Sequence, residues 1–257
     1  MSLLTRPIRS RIKPAATRLR YDPTWFARKC GGQPSLFLPL FGPGRAGHAN
    51  DYSSSANDAA PNAITYSGTP YGMATNFNGT SGNLALRSAI TLPGDFTVTV
   101  FCRDDTVNAG RVLIGGNANS DFSWVWGGGF VYCKIAGTFI NGASGAPSTG
   151  VWRELTTIRS AGKITWYVNG AKLAGPGALS GTHTIDHIGS YGNNTAFFQG
   201  AMGRVLVFPF ALSATQLAAL YNEPWGMFRR TLHAFARSAS TLRGGFILDN
   251  AGALIGS

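Results

Sequence analysis

The residues that could perform hydrolytic chemistry in this chain are scarce. The sequence has 11 acidic residues, and only Glu154 and Glu223 are glutamates. A typical glycoside hydrolase needs two carboxyl groups flanking one sugar bond, about 5 Å apart in retaining enzymes and about 6.5–9.5 Å apart in inverting ones. Asp104 and Asp105 are adjacent, so on a strand their side chains would point to opposite faces. No Glu-x-Asp-x-Glu pattern occurs, and we therefore expect no catalytic residues and no enzymatic activity.

The sequence gives equally weak indications of a nucleophilic catalytic site and of a metal site. His183 and Asp186 lie in the strand-like segment THTIDH, but the Gly-x-Ser-x-Gly turn of a serine hydrolase is missing. The segment NANSD places side-chain oxygens at Asn117, Asn119 and Asp121, which could bind Ca²⁺, although it lacks the glycine and terminal glutamate of a calcium loop. A polar turn is the alternative for this segment. Three cysteines without a CxxC pair form neither a disulfide framework nor a zinc site, so we expect no cofactor other than a candidate Ca²⁺ ion.

Carbohydrate binding would require exposed aromatic rings beside polar groups. Trp124 and Trp126 share one face of the predicted strand FSWVWG, and Tyr191 lies with Asn193 and Asn194 in the polar segment SYGNNT. These five residues are the candidates for a sugar site. Burial of the two tryptophans in the core of the fold is the alternative.

Basic residues are concentrated at the ends of the chain. The net charge is +11, and residues 1–44 hold eight basic residues against one acidic residue, whereas residues 45–222 are almost neutral. Both ends combine these charges with aromatic residues, a composition typical of segments that meet acidic partners. The alternatives are a solvated leader, aromatic residues that pack back onto the parent domain, and contact with nucleic acid. The candidate partner-docking residues are Arg18, Arg20, Tyr21, Trp25, Phe26, Arg28, Lys29, Trp225, Phe228, Arg229 and Arg230.

The segments between the two ends read as strands and one helix. FTVTVFCR alternates apolar and polar residues, and similar short segments recur every 10–15 residues with Gly, Asn or Pro between them, which predicts an antiparallel β-sandwich or jelly roll. The segment LSATQLAALYN predicts a short helix over 213–221. Ser213 and Gln216 form a capping box, and Pro224 ends the helix.

Several motifs in this order resemble those of laminin-G-like (concanavalin A-like) domains. The similarity is carried by NDYSSSAN, ATNFNGTSGNLAL, DFTVTVFCR, VWRELTTIRSAGKITWYVNG and FFQGAMGRVLVFPFALSATQLAALYN. The resemblance implies an all-β jelly roll with one short C-terminal capping helix. It does not specify a function, since this architecture hosts lectins, glycanases, adhesion modules and virion proteins.

These observations predict a basic N-terminal arm at 1–34, a jelly-roll domain at 35–222 and a basic, aromatic C-terminal arm at 223–257. The ending NEPWGMFRR is similar to proteins of tailed-phage structural regions. We therefore expect a non-enzymatic virion structural protein, for capsid decoration or at a vertex or tail, made in the host cytoplasm. Its arms would dock multiple copies onto neighbouring virion proteins. The alternatives are a glycan-binding adhesion module and an internal virion protein that contacts nucleic acid. No secretory signal or membrane span is expected.

Overall fold

The computed structural model describes residues 18–42, 47–106, 111–116, 121–127, 130–144, 149–192, 195–231, 247–248 and 254–255. The chain divides into two compact units. The larger one is Asp22–Met227, and the smaller one consists of Met1–Tyr21 together with Phe228–Ser257.

The secondary structure is mostly strand, with two short helices. In chain order the elements are β1 Arg18–Tyr21, α1 Thr24–Cys30, β2 Leu36–Pro39, β3 Ala59–Asn62, β4 Thr65–Thr69, β5 Gly72–Asn78, β6 Asn83–Leu92, β7 Phe96–Asp104, β8 Arg111–Gly115, β9 Phe122–Gly127, β10 Phe130–Ile135, β11 Thr138–Ser144, β12 Trp152–Ser160, β13 Lys163–Val168, β14 Ala171–Ala178, β15 His183–Ile188, β16 Gln199–Phe208, α2 Ala214–Asn222, β17 Phe228–Thr231, β18 Ile247–Leu248 and β19 Leu254–Ile255.

The larger unit is an antiparallel sandwich of two sheets. One sheet has eight strands in the order β14-β13-β12-β7-β16-β5-β4, with β2 also paired to β16. The other has seven strands in the order β11-β10-β9-β8-β15-β6-β3. The predicted sandwich is therefore confirmed. Neighbouring strands are often distant in sequence, so the sheets depend on long-range pairing rather than on hairpins alone.

The core lies between the two sheets and follows the alternation seen in the sequence. In β7 the residues Phe96, Val98, Val100 and Cys102 are buried in one continuous apolar cluster. Because successive strand residues point to opposite faces, Phe101 belongs to the outer face of the eight-stranded sheet. This outer face carries the candidate site.

Helix α2 forms where the sequence predicts it. Ser213 Oγ accepts a hydrogen bond from the Gln216 backbone N–H at 3.3 Å, while Gln216 Oε1 accepts one from the Ser213 backbone N–H at 2.8 Å. This reciprocal capping box satisfies two N–H groups that would otherwise lack partners. Leu217 and Leu220 are buried, so the helix packs one apolar stripe against the sandwich.

The N-terminal arm predicted at 1–34 is not extended over its whole length, because Thr24–Cys30 form helix α1. Trp25 and Phe26 are 3% and 0% exposed, and the Phe26 ring meets Phe37 at 5.3 Å and Phe208 at 5.8 Å. These two aromatic side chains cover the outer face of the eight-stranded sheet instead of being available to a partner. Burial of large aromatic surface against an apolar sheet face is the physical reason. The boundary predicted between residues 34 and 35 accordingly falls inside the larger unit.

Candidate functional site

An aromatic cleft opens on the outer face of the eight-stranded sheet, where the two helices leave it uncovered. Its volume is about 360 Å³. The cleft draws its aromatic walls from the β4–β5 turn, β7, β12, α2 and the segment after α2. The residues that define the aromatic cleft are Tyr71, Phe101, Trp152, Tyr221 and Trp225, with Glu154, Asn169, Asn222 and Pro224 completing its lining.

The rings of the aromatic cleft support one another. Phe101 and Trp152 stack with their centroids 4.9 Å apart, because Phe101 pairs with Glu154 and Arg103 pairs with Trp152 in the β7–β12 register. Tyr71 meets the edge of this stack, with its centroid 5.3 Å from Phe101 and 6.0 Å from Trp152. Tyr71 is nevertheless 56% exposed. A ring held by its neighbours and open to solvent loses little conformational freedom when it binds a ligand.

Two amide side chains supply hydrogen-bonding groups at the edge of the cleft. Asn169 lies in the turn between β13 and β14, and its Oδ1 accepts a 2.9 Å hydrogen bond from the Glu154 backbone N–H. Within the described part of the chain, its Nδ2 and the side chain of Asn222 have no hydrogen-bond partner. An amide nitrogen can donate two hydrogen bonds and an amide oxygen can accept two. These groups suit a ligand rich in hydroxyls.

A buried ion pair forms the floor of the cleft. Glu154 is 2% exposed and Arg204 is 0% exposed, and Arg204 Nη2 donates to Glu154 Oε2. Thr99 Oγ1 donates to the other carboxylate oxygen at 3.0 Å. Arg204 Nη1 donates to the Pro224 carbonyl oxygen, and its Cζ lies 5.2 Å from the centroid of the Trp225 ring. The pair therefore fixes the segment that carries the Trp225 wall of the cleft.

The geometry favours binding of a flat, partly apolar molecule. Aromatic faces accept the apolar faces of ring compounds, and the amides beside them provide orientation. Glu154 is the carboxylate that lines the cleft, and hydrogen bonds to Arg204 and Thr99 engage both of its oxygens.

The described carbohydrate-binding residues predicted from the sequence lie outside the aromatic cleft. Trp124 and Trp126 are in β9, but their side chains fall outside the described part of the structure, as do Asn193 and Asn194 entirely. Tyr191 is described, and it packs with Tyr132 against Val112. Burial raises the pKa of the Tyr191 hydroxyl above its usual value. The prediction for these residues remains a prediction, while the aromatic cleft is a separate candidate.

A sequence signal for the aromatic cleft does exist. Phe101 interrupts the polar positions of FTVTVFCR, and an aromatic residue on the outward face of an amphipathic strand needs a cover or a ligand. The sequence does not show that Trp152 and Tyr71 meet it. Trp225, predicted to dock on a partner, forms one wall of the cleft.

The predicted calcium residues are only partly described. Asn117 and Asn119 lie outside the described residues, whereas Asp121 accepts hydrogen bonds from the backbone N–H groups of Ala136 at 2.7 Å and Thr184 at 3.2 Å. Burial by itself would raise the pKa of the Asp121 carboxyl, but its interactions with His183 and these amides hold the pKa below the usual value. Across the described segments, His, Cys, Asp and Glu residues form no group of three or more that could hold a metal ion.

The remaining predicted docking residues fall into two places. In the larger unit, Arg28 pairs with Asp22 at 3.0 Å and Lys29 pairs with Glu223 at 2.8 Å, both at the surface. In the smaller unit, β1 and β17 pair antiparallel. The cross-strand partners in this ribbon are Arg18 with Thr231, Leu19 with Arg230, Arg20 with Arg229, and Tyr21 with Phe228. No helix in the described segments is long and apolar enough to span a membrane.

Solved structures with the same architecture include carbohydrate-active proteins. Domain 4 of AbnA, an extracellular arabinanase from Geobacillus stearothermophilus solved with arabinotriose, is 15% identical and has a TM-score of 0.54, with 73% of this chain and 98% of that domain covered. The sialidase of Trypanosoma rangeli is 15% identical with a TM-score of 0.56, and the similarity covers 75% of this chain and 33% of the sialidase. At such identity the likeness concerns the fold alone.

Sequence comparisons identify the family of the chain. No curated protein matches it. The family model Laminin_G_3, described as the concanavalin A-like lectin/glucanases superfamily, matches residues 78–218, which is more than half of the chain. The matched range runs from the end of β5 into α2 and includes most of both sheets. The chain therefore belongs to this concanavalin A-like family.

Proposed function

We propose that the larger unit is a non-catalytic carbohydrate-binding domain and that the aromatic cleft is its binding site. The observation that carries the proposal is the exposed Tyr71 ring held against the Phe101–Trp152 stack. Beside it lie the Asn169 Nδ2 and the Asn222 amide, which have no hydrogen-bond partner among the described residues. Sugar rings offer an apolar face for the aromatic rings and hydroxyls for the amides. Arabinotriose in the AbnA domain is in line with a glycan ligand on this fold.

Binding without hydrolysis is the form of this function that the cleft favours. Glycoside hydrolysis usually requires an acid and a second carboxylate on opposite sides of the bond. In the aromatic cleft Glu154 is buried and forms an ion pair with Arg204, so its carboxylate has a structural role at the floor of the cleft. We therefore propose no enzymatic activity.

The composition of the smaller unit supports a second part of the proposal, which is attachment to a virion. The segments 1–21 and 228–257 contain ten of the 22 basic residues and only one of the 11 acidic residues. The larger unit is thus close to neutral, while the ends hold most of the charge. We propose that these ends dock copies of the chain, made in the host cytoplasm, onto acidic virion proteins of a tailed phage, and that the sandwich faces outward.

The binding proposal is tested by a glycan array followed by calorimetry with the strongest oligosaccharide hit. Tyr71→Ala should weaken binding at least tenfold, because loss of one ring in such a contact costs about 1.4 kcal/mol or more. Phe139→Ala is the matched control, since Phe139 is a similarly exposed aromatic residue (59%) on β11 of the other sheet. Equal affinity of the Tyr71 variant and the wild type would contradict the assignment of the cleft.

A further inference from the structure

A bulge in β6 lies on the seven-stranded sheet, away from the aromatic cleft. Ala85 pairs with His187 of β15, and the next pair is Ile90 with Ile185. Five steps along β6 therefore correspond to only two along β15. Residues 86–89 of β6 are thus opposite Asp186 alone, so β6 has three extra residues here and the regular ladder between the two strands is interrupted. Bulges of this kind redirect side chains and are frequent beside functional sites.

The bulge is held in place by the loop that contains the Asp-x-Ser segment of the sequence. Asn57 Oδ1 accepts from the Ser88 backbone N–H at 2.9 Å, and Asn57 Nδ2 donates to the Ser88 carbonyl at 2.7 Å. The Arg87 backbone N–H donates to the Asp58 carbonyl at 3.1 Å. Asp51 in turn accepts from the Asn57 backbone N–H at 2.8 Å. This network preorganises the bulge and the loop relative to one another.

Arg87 stands between two cavities at this position. One, of about 370 Å³, is lined by Arg87 with Ser35, Ser55 and Ser88, and the other, of about 270 Å³, is lined by Arg87 with His48 and Asp58. Arg87 is exposed, and its guanidinium has no hydrogen-bond or ion-pair partner among the residues described. The hydroxyls of Ser55 and Ser88 have none there either.

Asp58 lies with Arg87 in the lining of the smaller cavity, whereas the described residues that line the larger cavity include no carboxylate. Asp58 Oδ1 accepts from the Asp51 backbone N–H at 2.8 Å, and Asp58 makes no ion pair with Arg87. A guanidinium has donors arranged as a fork that matches phosphate and carboxylate oxygens, and serine hydroxyls can donate to the same group. The larger cavity exceeds the size of a single inorganic anion and is within the usual range for small-ligand pockets.

We propose that Arg87, Ser55 and Ser88 form a binding site for a tetrahedral oxyanion, namely the phosphate or sulfate group of a small ligand. The guanidinium neutralises the charge and donates to two oxygens, and the hydroxyls of Ser55 and Ser88 donate to the remaining ones. The rest of the ligand occupies the cavity lined by the serines. This site is independent of the aromatic cleft, so its test does not depend on the carbohydrate proposal.

The site is tested on the full chain by following the amide NMR signals of Ser55 and Ser88. The probes are sodium sulfate, sodium phosphate and glucose 6-phosphate, each at constant ionic strength set with sodium chloride. We expect saturable shifts of both signals. Arg87→Gln should weaken the affinity at least tenfold, whereas Lys172→Gln, which removes an equal charge from an exposed position on β14, should not change it.

The possible outcomes separate the sources of the anion. Tighter binding of glucose 6-phosphate than of inorganic phosphate assigns the site to an organic ester, whereas equal binding assigns it to the free ion and would contradict occupancy of the cavity by the rest of a ligand. Unchanged affinity in the Arg87→Gln variant would overturn the proposal. Shifts that chloride reproduces, or that follow charge alone in both variants, would overturn it as well, because they would report general attraction to a basic chain. Ser88→Ala should weaken binding without changing the melting temperature.

Discussion

Replacement of Glu154 by glutamine should destabilise the larger unit strongly. The substitution keeps the shape of the side chain but removes its charge, which leaves the guanidinium of Arg204 buried at 0% exposure without a counter-ion. Removal of one partner from a buried ion pair typically costs about 3–5 kcal/mol, because the desolvated charge that remains is no longer compensated. We expect a loss of free energy of unfolding in this range.

The expected loss is large enough for two simple assays. In a domain of this size 1 kcal/mol shifts the melting temperature by about 2–4 °C, so Glu154→Gln should lower Tm by roughly 6–20 °C. Urea unfolding should show a lower midpoint with an unchanged slope, since the surface exposed on unfolding stays the same. Both measurements report the same free energy if the unfolding is two-state.

The chain contains its own control, because Glu223 is the only other glutamate. Its pair with Lys29 lies at the surface, where solvent screens the charges, so Glu223→Gln should leave Tm almost unchanged. The double variant Glu154→Met with Arg204→Met should recover much of the stability, since it removes both charges and keeps the volume. A Tm within about 2 °C of the wild type for Glu154→Gln, or equal losses for the two glutamates, would refute this account.

Four further outcomes are expected. Trp25→Ala should cost about 3–5 kcal/mol in urea unfolding, as for a core aromatic residue, and a loss below about 1 kcal/mol would return Trp25 to a docking role. Burial raises the pKa of Asp104 from 3.8 to about 6, so between these pH values the folded state retains a proton that the unfolded chain releases. The free energy of unfolding therefore falls as the pH rises from about 4 to about 6. Asp104→Asn should remove this fall when urea unfolding is measured against pH. Deletion of residues 1–21 should preserve the β-rich circular dichroism spectrum and prevent incorporation into phage particles. Normal incorporation of the deletion variant would contradict docking on proteins, and so would a steeply salt-dependent release of DNA from the full chain. The purified chain should release no new reducing ends from a polysaccharide panel, and turnover by the wild-type chain would contradict a non-catalytic role.

Much of the fold could be predicted from local patterns in the sequence. The capping box of α2 is encoded by Ser213 and Gln216, three residues apart, and the structure contains both of its hydrogen bonds. The alternation in β7 likewise predicts which residues face the core. Such features depend on neighbours along the chain, whose geometry is set by the periodicity of helices and strands.

The candidate site could be predicted only in fragments. The sequence indicated Trp225 as an aromatic residue with a function but assigned it to a docking arm. Phe101, Trp152 and Tyr71 come from separate segments, and only the β7–β12 register and the β4–β5 turn bring their rings together. A one-residue change of register would move a strand's side chains to the other face, so no local pattern could specify this cluster.

The sequence by itself determined the class of the fold, the position of α2 and the concentration of charge at the two ends. Only the tertiary structure determined that Trp25 and Phe26 are buried, because the basic, aromatic segment around them has a composition that is also typical of partner docking. Phe26 is buried because Phe37 and Phe208, far apart in the sequence, present an apolar surface beneath it, and Trp25 packs against Phe26 with the ring centroids 5.2 Å apart. Short-range order follows from the periodicity of adjacent residues, whereas burial depends on which distant strands become neighbours in the sheet.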